Sequence, residues 1–314
     1  MRLAPICLFT YNRLIETRMT IQSLQRNYLA SESDLIIYSD GAKHKAAESG
    51  VNQVREFLKT INGFKSVKVV ESKFNMGLAN SIISGVSQVL KNFDNVIVLE
   101  DDLILSRNFL NFMNQSLHLY QSNSLVFSVS GYSQKLKFPL DYSYDAYFKG
   151  RATSWGWATW KDRWQLVDWK VNKEELKKTN SFKELNRYGY DLKKMLIDHV
   201  DGKNDSWAIR FTYYQIKSNK VTVAPVISKV QNIGFGENAT HCKDPISGVK
   251  VAFDNTKQKK FSLPNKVEIK KDLELQLRSR TRKMYRVIFK ILNKLPFKNK
   301  IANRIKNVEY VNSK

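Results

Sequence analysis

Val96-Ile97-Val98-Leu99 runs directly into Glu100-Asp101-Asp102, three carboxylates in a row behind an apolar, strand-forming stretch. Burying such a stretch carries its end into a cleft, where adjacent carboxylates repel one another unless a cation joins them. Oxygen ligands of this kind suit Mg2+ or Mn2+, with one or two carboxylates and a substrate diphosphate completing the usual octahedron. The alternative is a solvated loop or an acidic cluster ahead of a helix, since Ser106 and a helical stretch follow closely. Other polar clusters also follow short apolar runs: Thr10-Tyr11-Asn12-Arg13, Asp40-Gly41 and Lys73-Phe74-Asn75-Met76-Gly77. Asp40 has the chemistry to accept hydrogen bonds from a nucleobase, or to be a turn aspartate before glycine. Arg13 suits a grip on a nucleotide or a surface ion pair, and Asn75-Met76-Gly77 a helix-starting turn near a diphosphate or a plain cap.

The elements that must position these groups are legible as periodicities. Residues 4–10, 35–39, 67–70, 95–99 and 125–130 read as strands, near-continuously apolar as buried central strands are. Between them, Leu14, Thr17, Ile21, Leu24 and Tyr28 form one helical stripe, Ala79, Ile82, Val86 and Val89 a second, and Phe109, Phe112, Met113, Ser116 and Tyr120 a third. Alternating strand and helix predicts an α/β fold, a mostly parallel sheet flanked by helices on both faces. In such sheets ligands bind beyond the carboxyl ends of the strands, so the polar clusters are expected to meet along one edge. After residue 130 the pattern becomes irregular and aromatic-rich. Trp155, Trp157, Trp160, Trp164 and Trp169 are five of the six tryptophans, and this half is expected to be a platform for substrate rather than sheet.

With 314 residues, 42% hydrophobic, 13 Gly and 6 Pro, the chain is neither collagen-like nor low-complexity nor disordered. Two cysteines, Cys7 and Cys242, are too few for a disulfide scaffold, which points to a reducing compartment and a cytoplasmic location. The apolar start reads as a first strand rather than a leader, and no run of about 18 apolar residues offers a membrane span. The formal charge of +23 implies an anionic partner. Residues 265–314 hold fifteen Lys or Arg against four Asp or Glu, and there Met284, Val287, Ile288, Ile291, Leu292 and Leu295 recur at helical spacing beside Arg286, Lys290 and Lys294. Such a basic amphipathic helix either docks on the body or lies peripherally on an anionic membrane surface. Nucleic acid is not expected, because aromatic residues do not interleave with the basic tract. The composition shift near Pro264 divides the chain into 1–262, itself halved at 130/131, and a tail of 263–314.

The order of Thr10-Tyr11-Asn12-Arg13, Ser39-Asp40-Gly41, Asn75-Met76-Gly77 and Val98-Leu99-Glu100-Asp101-Asp102 resembles the nucleotide-sugar half of GT-A glycosyltransferases. Ser154-Trp155-Gly156-Trp157, Asn204-Asp205-Ser206-Trp207-Ala208-Ile209-Arg210 and Pro225-Val226-Ile227-Ser228-Lys229, followed by Gly234-Phe235-Gly236 and His241, resemble successive motifs of the inverting N-acetylglucosaminyltransferase I group. Bacterial family-2-like sugar transferases show similar patterns, and the resemblance covers about residues 4–242. It implies a Rossmann-like GT-A domain with an acceptor half over 131–262. Asp102 would ligate the metal, with Asp101 serving ribose and metal shell and Glu100 reaching the donor sugar. Arg13 and Asp40 would hold the nucleoside of a UDP-sugar, with Thr10, Tyr11, Lys73, Asn75 and Gly77 lining the donor site and His241 near its diphosphate. Asp205 would be the base that deprotonates the acceptor hydroxyl, or else a helix N-cap; Trp155 and Trp157 would stack on acceptor sugars, or else pack in the core. Residues 231–240 would order over the donor. The family's histidine near the nucleotide has no match around Lys73, and the tail differs from the animal enzymes, which suggests a different acceptor, a glycan or lipid-linked glycan of a bacterial surface polysaccharide. The competing readings are a nucleotidyltransferase, which also uses carboxylate-bound Mg2+, and a non-enzymatic nucleic-acid-binding protein, supported by charge alone.

Overall fold

The computed structural model describes residues 2–171, 173–178, 181–234 and 251–281. The first half alternates as the periodicity predicts: β1 (Ile6–Thr10), α1 (Leu14–Gln25), β2 (Asp34–Ser39), α2 (Glu48–Leu58), β3 (Ser66–Glu71), α3 (Leu78–Val89), β4 (Asn95–Glu100), a short β5 (Leu103–Leu105), α4 (Phe109–Leu119) and β6 (Val126–Ser130). Side chains alternate across each strand, so one continuous apolar run feeds two cores. Ile6, Leu8, Ile97 and Leu99 pack under α1, α2 and α4, while Cys7, Phe9, Val96 and Val98 pack on the opposite face with Ala79, Ile82 and Val86 of α3.

The second half is more regular than its composition suggests. It contributes β7 (Ala146–Lys149), β8 (Trp157–Trp160), the helices α5 (Lys161–Gln165), α6 (Lys173–Lys178), α7 (Ser181–Tyr188), α8 (Leu192–Val200) and α9 (Trp207–Lys217), then β9 (Val221–Pro225) and β10 (Val230–Asn232). Of these strands β7, β8 and β9 join β1 to β4 and β6 in one eight-stranded sheet, ordered β3-β2-β1-β4-β8-β6-β9-β7, while β10 pairs with β5. The aromatic platform expected after residue 130 is therefore corrected: β8 is Trp-Ala-Thr-Trp, buried on both faces, and its aromatic content hides a four-residue strand from pattern reading. The sheet is mostly parallel, as expected, with β6 and β9 parallel to each other and running the same way as β4. β3, β2, β1 and β4 are parallel, but β8 enters antiparallel between β4 and β6, and β7 lies antiparallel at the edge beside β9.

Gly156 explains how the tryptophan motif is used. Its φ of +59 is a backbone conformation that glycine adopts freely, and its carbonyl accepts the Gly131 N–H at 2.6 Å. The turn sends Trp157 inward at 1% exposure, stacked between Trp207 at 4.7 Å and Trp164 at 5.8 Å. The expected role of Trp157 in stacking on acceptor sugars is thus corrected, because its ring presents no face to solvent. Trp155 stays partly buried at the strand-end edge, edge-to-face with Tyr132 at 4.5 Å.

Packing continues across Pro264. Phe261, Leu263, Val267 and Ile269 lie on the α4 side of the core, the Tyr120 hydroxyl donates to the Pro264 carbonyl at 2.8 Å, and α10 (Lys271–Ser279) seats Leu273 on Tyr147 and Ala224. The amphipathic stripe from Met284 to Leu295 lies outside the described residues. Among the described residues, no helix is long and apolar enough to cross a membrane. Trp157→Ala is expected to lower unfolding free energy by about 3–5 kcal/mol in denaturant titration, the range for deleting a buried aromatic, whereas Trp155→Ala costs clearly less.

Candidate active site

The carboxyl ends of β1, β2 and β4 lie side by side because the register is parallel, Leu8 facing both Ile37 and Leu99. This brings Thr10-Tyr11-Asn12-Arg13, Asp40 and Glu100-Asp101-Asp102 to one edge. The acidic triplet is pinned from two directions. Thr20 of α1 donates its hydroxyl to the Asp101 carbonyl at 2.9 Å and accepts the Leu103 N–H at 3.0 Å. From the other side β10 pairs antiparallel with β5, and the Ile233 N–H donates to the Asp102 carbonyl at 2.8 Å.

The carboxylates themselves are buried, Asp101 with 6% and Asp102 with 12% of the side chain exposed. Arg13 Nη2 donates to Asp101 Oδ1 at 2.6 Å and to Asp102 Oδ2 at 3.0 Å. The Tyr11 N–H reaches Asp101 Oδ2 at 3.3 Å, and the Asn232 amide reaches Asp102 Oδ1 at 3.2 Å. Gly234 lies so close that a Cβ there would fall 2.0 Å from Asp102 Oδ2, which excludes any other residue while this arrangement holds. One guanidinium against three neighbouring acids leaves an excess of negative charge. Burial, then Asp102 and Asp101, push Glu100 up to about 8, and burial pushes Asp101 up to about 6 against the pull of Arg13.

That charge imbalance suits a divalent cation. Among the described residues, no group of three or more His, Cys, Asp or Glu side chains is arranged to hold a metal unaided. Asp102 with Asp101 behind it suits instead a hard cation that completes its shell with water and substrate phosphates, as Mg2+ and Mn2+ do.

Asp40 plays a more structural part than its position suggests. Its Oδ1 accepts the Gly41 and Met76 N–H groups at 2.9 and 2.8 Å, and its Oδ2 accepts the Gly77 N–H at 3.0 Å and the Asn75 amide at 3.1 Å. The carboxylate thereby shapes the Asn75-Met76-Gly77 turn that opens α3. Arg55 of α2 ties the same two loops together, donating to the carbonyls of Asp40 at 3.4 Å and Ser72 at 2.7 Å. Thr10 is buried, Tyr11 accepts the Lys43 N–H on its hydroxyl at 3.0 Å, and Lys73 is exposed on the neighbouring loop.

Asp205 precedes α9, and the helix cap is its neighbour Ser206, whose hydroxyl accepts the Ile209 N–H at 3.4 Å. The Asp205 side chain is 57% exposed and accepts from Arg210 at 2.9 Å, while Arg210 also donates to the Trp169 and Ser206 carbonyls. Trp207, two residues on, stacks on Trp157, which pairs with Val98 of β4. His241 and residues 235–240 lie outside the described residues; of the expected covering segment, Gln231 to Gly234 are described and Asn232 and Gly234 meet Asp102. Sequence reasoning missed Thr20 and Arg55, each a single polar residue beside a helical stripe with no spacing to mark it. Because the folded-state pKa of Glu100 is raised, its contribution to stability is full at acidic pH and is lost as pH rises through about 8. Glu100→Gln is therefore expected to melt higher than the parent at about pH 8, the gap closing by about pH 4, as read by thermal unfolding across pH.

Neither a family model nor a curated protein matches the chain. Among solved structures it is similar to the mannosyltransferase PcManGT from Pyrobaculum calidifontis in complex with GDP-Man and Mn2+, at 9% identity and TM-score 0.37, covering 69% of each chain. It is also similar to S. aureus TarS, at 12% identity and TM-score 0.36 over 54% of this chain and 31% of that one. A TarS structure spanning residues 1-349 aligns at 9% identity and TM-score 0.36, over 71% and 58%.

Proposed function

We propose that this chain is a metal-dependent inverting glycosyltransferase that moves a hexosyl or N-acetylhexosaminyl group from a UDP-sugar to a glycan, in bacterial surface polysaccharide synthesis. The observation that supports this reading is the convergence of the β1, β2 and β4 ends on a buried carboxylate pair whose charge exceeds its guanidinium partner. The Asp40-shaped turn holds the nucleoside end and Arg13 grips the nucleotide, with Thr10, Tyr11, Lys73, Asn75 and Gly77 around it and His241 toward the diphosphate. Asp102, backed by Asp101, would hold Mn2+ or Mg2+, which would supply positive charge against the leaving diphosphate. Glu100 faces the donor sugar, and Trp155 the acceptor.

Asp205 removes the proton from the acceptor hydroxyl. That oxygen forms its bond to the anomeric carbon on the face opposite the leaving group, while the bond to the diphosphate breaks and UDP departs with the electron pair. Arg210 fixes the Asp205 carboxylate for this step. The basic stripe from Met284 to Leu295 lies on an anionic membrane and keeps the enzyme peripheral on its cytoplasmic face, near a lipid-linked acceptor.

Purified protein with Mn2+ and a panel of UDP-sugars is expected to release UDP with one of them; release of pyrophosphate would overturn the reading in favour of nucleotidyl transfer. Asp102→Ala abolishes metal-dependent donor binding, whereas Asp205→Asn keeps donor binding and lowers turnover by about 10²–10⁴, the usual contribution of a general base. Removing residues 282–314 is expected to release the protein from anionic vesicles in sedimentation while soluble transfer persists.

A further inference from the structure

Arg13 does more at this edge than neutralise charge. A single nitrogen, Nη2, bridges the two carboxylates, and with the Tyr11 N–H and the Asn232 amide every oxygen of Asp101 and Asp102 already has a protein donor. Charge-assisted bonds of this kind are roughly twice as strong as neutral ones. A second cation brought to Asp102 Oδ2 must take that oxygen from Arg13 and then lie a few ångströms from a guanidinium in a poorly solvated cleft, where like charges repel strongly. The Arg13 backbone is anchored, its carbonyl accepting the Thr17 N–H at 3.0 Å and the Thr17 hydroxyl at 2.7 Å. Its side chain is 21% exposed, and among the described residues neither Nε nor Nη1 has a hydrogen-bond partner, so the head group is free to turn without moving α1.

We infer that Arg13 is a built-in counter-ion that competes with the divalent cation for Asp102 and yields only when a nucleoside diphosphate offers its guanidinium a new anionic partner. This rests on the reading that Asp102 takes a divalent cation. Cation and diphosphate then bind synergistically: the diphosphate draws Arg13 off Asp102 Oδ2 and supplies phosphate oxygens to the cation that replaces it. The two acids are thereby kept compensated at every stage, first by the guanidinium and then by the metal.

The test counts free Mn2+ by electron paramagnetic resonance in titrations of intact protein, without and with UDP. Arg13→Gln is expected to bind Mn2+ alone about 10-fold more tightly than the parent, a change of about 1.4 kcal/mol. UDP is expected to tighten Mn2+ by about 10-fold or more in the parent and by less than about 3-fold in Arg13→Gln, since the released guanidinium is what couples the two ligands. Arg13→Lys, which keeps the charge and serves should the glutamine variant fail to fold, stays within about 3-fold of the parent for Mn2+ alone. Equal Mn2+ affinity of Arg13→Gln and the parent, or an equal gain from UDP in both, overturns the inference even if sugar transfer is found. Tighter Mn2+ binding by Arg13→Gln in a protein that transfers no sugar supports the counter-ion and overturns the transferase reading instead.

Discussion

Adjacent carboxylates at the end of a buried strand are a Coulombic problem before they are a catalytic site. In a cleft of low effective dielectric their repulsion is several-fold that in water, and it has to be met by cations and by N–H dipoles aimed at the oxygens. Around Asp101 and Asp102 the chain supplies both: the Arg13 guanidinium, the Tyr11 N–H and the Asn232 amide, with Thr20 and Ile233 holding the two backbone carbonyls. These partners come from the turn between β1 and α1, from α1 and from the end of β10, so the arrangement exists only when the sheet is assembled. Incomplete compensation remains at this edge, and it is what supports the proposal that a cation and an anion bind there together.

The sheet delivers that assembly through a change of direction. Its parallel half lays the β1, β2 and β4 ends in a row, and the antiparallel insertion of β8 between β4 and β6 turns Gly156 and Trp155 toward the same edge. The segment reaching Asp102 from the other side is anchored below by the buried Lys229–Asp254 pair, to which the Asn108 amide donates at 3.0 Å, and by the bridge between Ser228 and Phe253. A buried ion pair adds little net stability over an apolar pair, but the loss of one partner is costly, so it secures where the chain passes. Residues 251–281 are in this way part of the body that holds the site.

Particular residues show how far the linear pattern reaches. The β1 to β4 strands and the α1, α3 and α4 stripes are legible because side-chain alternation and helical repeat are properties of a short backbone segment. The polar clusters after those strands are legible for the same reason, since a strand that must be buried announces where it ends. Trp155 and Trp157 are chemically identical and two apart, yet one packs between Trp164 and Trp207 while the other lies against Tyr132 at the edge. Asp40 illustrates the same limit: its place before glycine suggests a ligand or a turn, and the structure shows its carboxylate organising a loop 35 residues away.

What the linear chain determined by itself was the alternating first half, the acid triplet at a strand end and the uneven distribution of positive charge. Each depends on neighbours within a few residues. Tertiary structure alone decided that β8 runs antiparallel into the middle of the sheet, that Thr20 and Arg55 fasten the site loops, and that Arg13 bridges two aspartates 88 and 89 positions away. The physical reason is that remote contacts follow from which strands pair and in what register, a choice set by the packing of the whole core and carried by no local spacing.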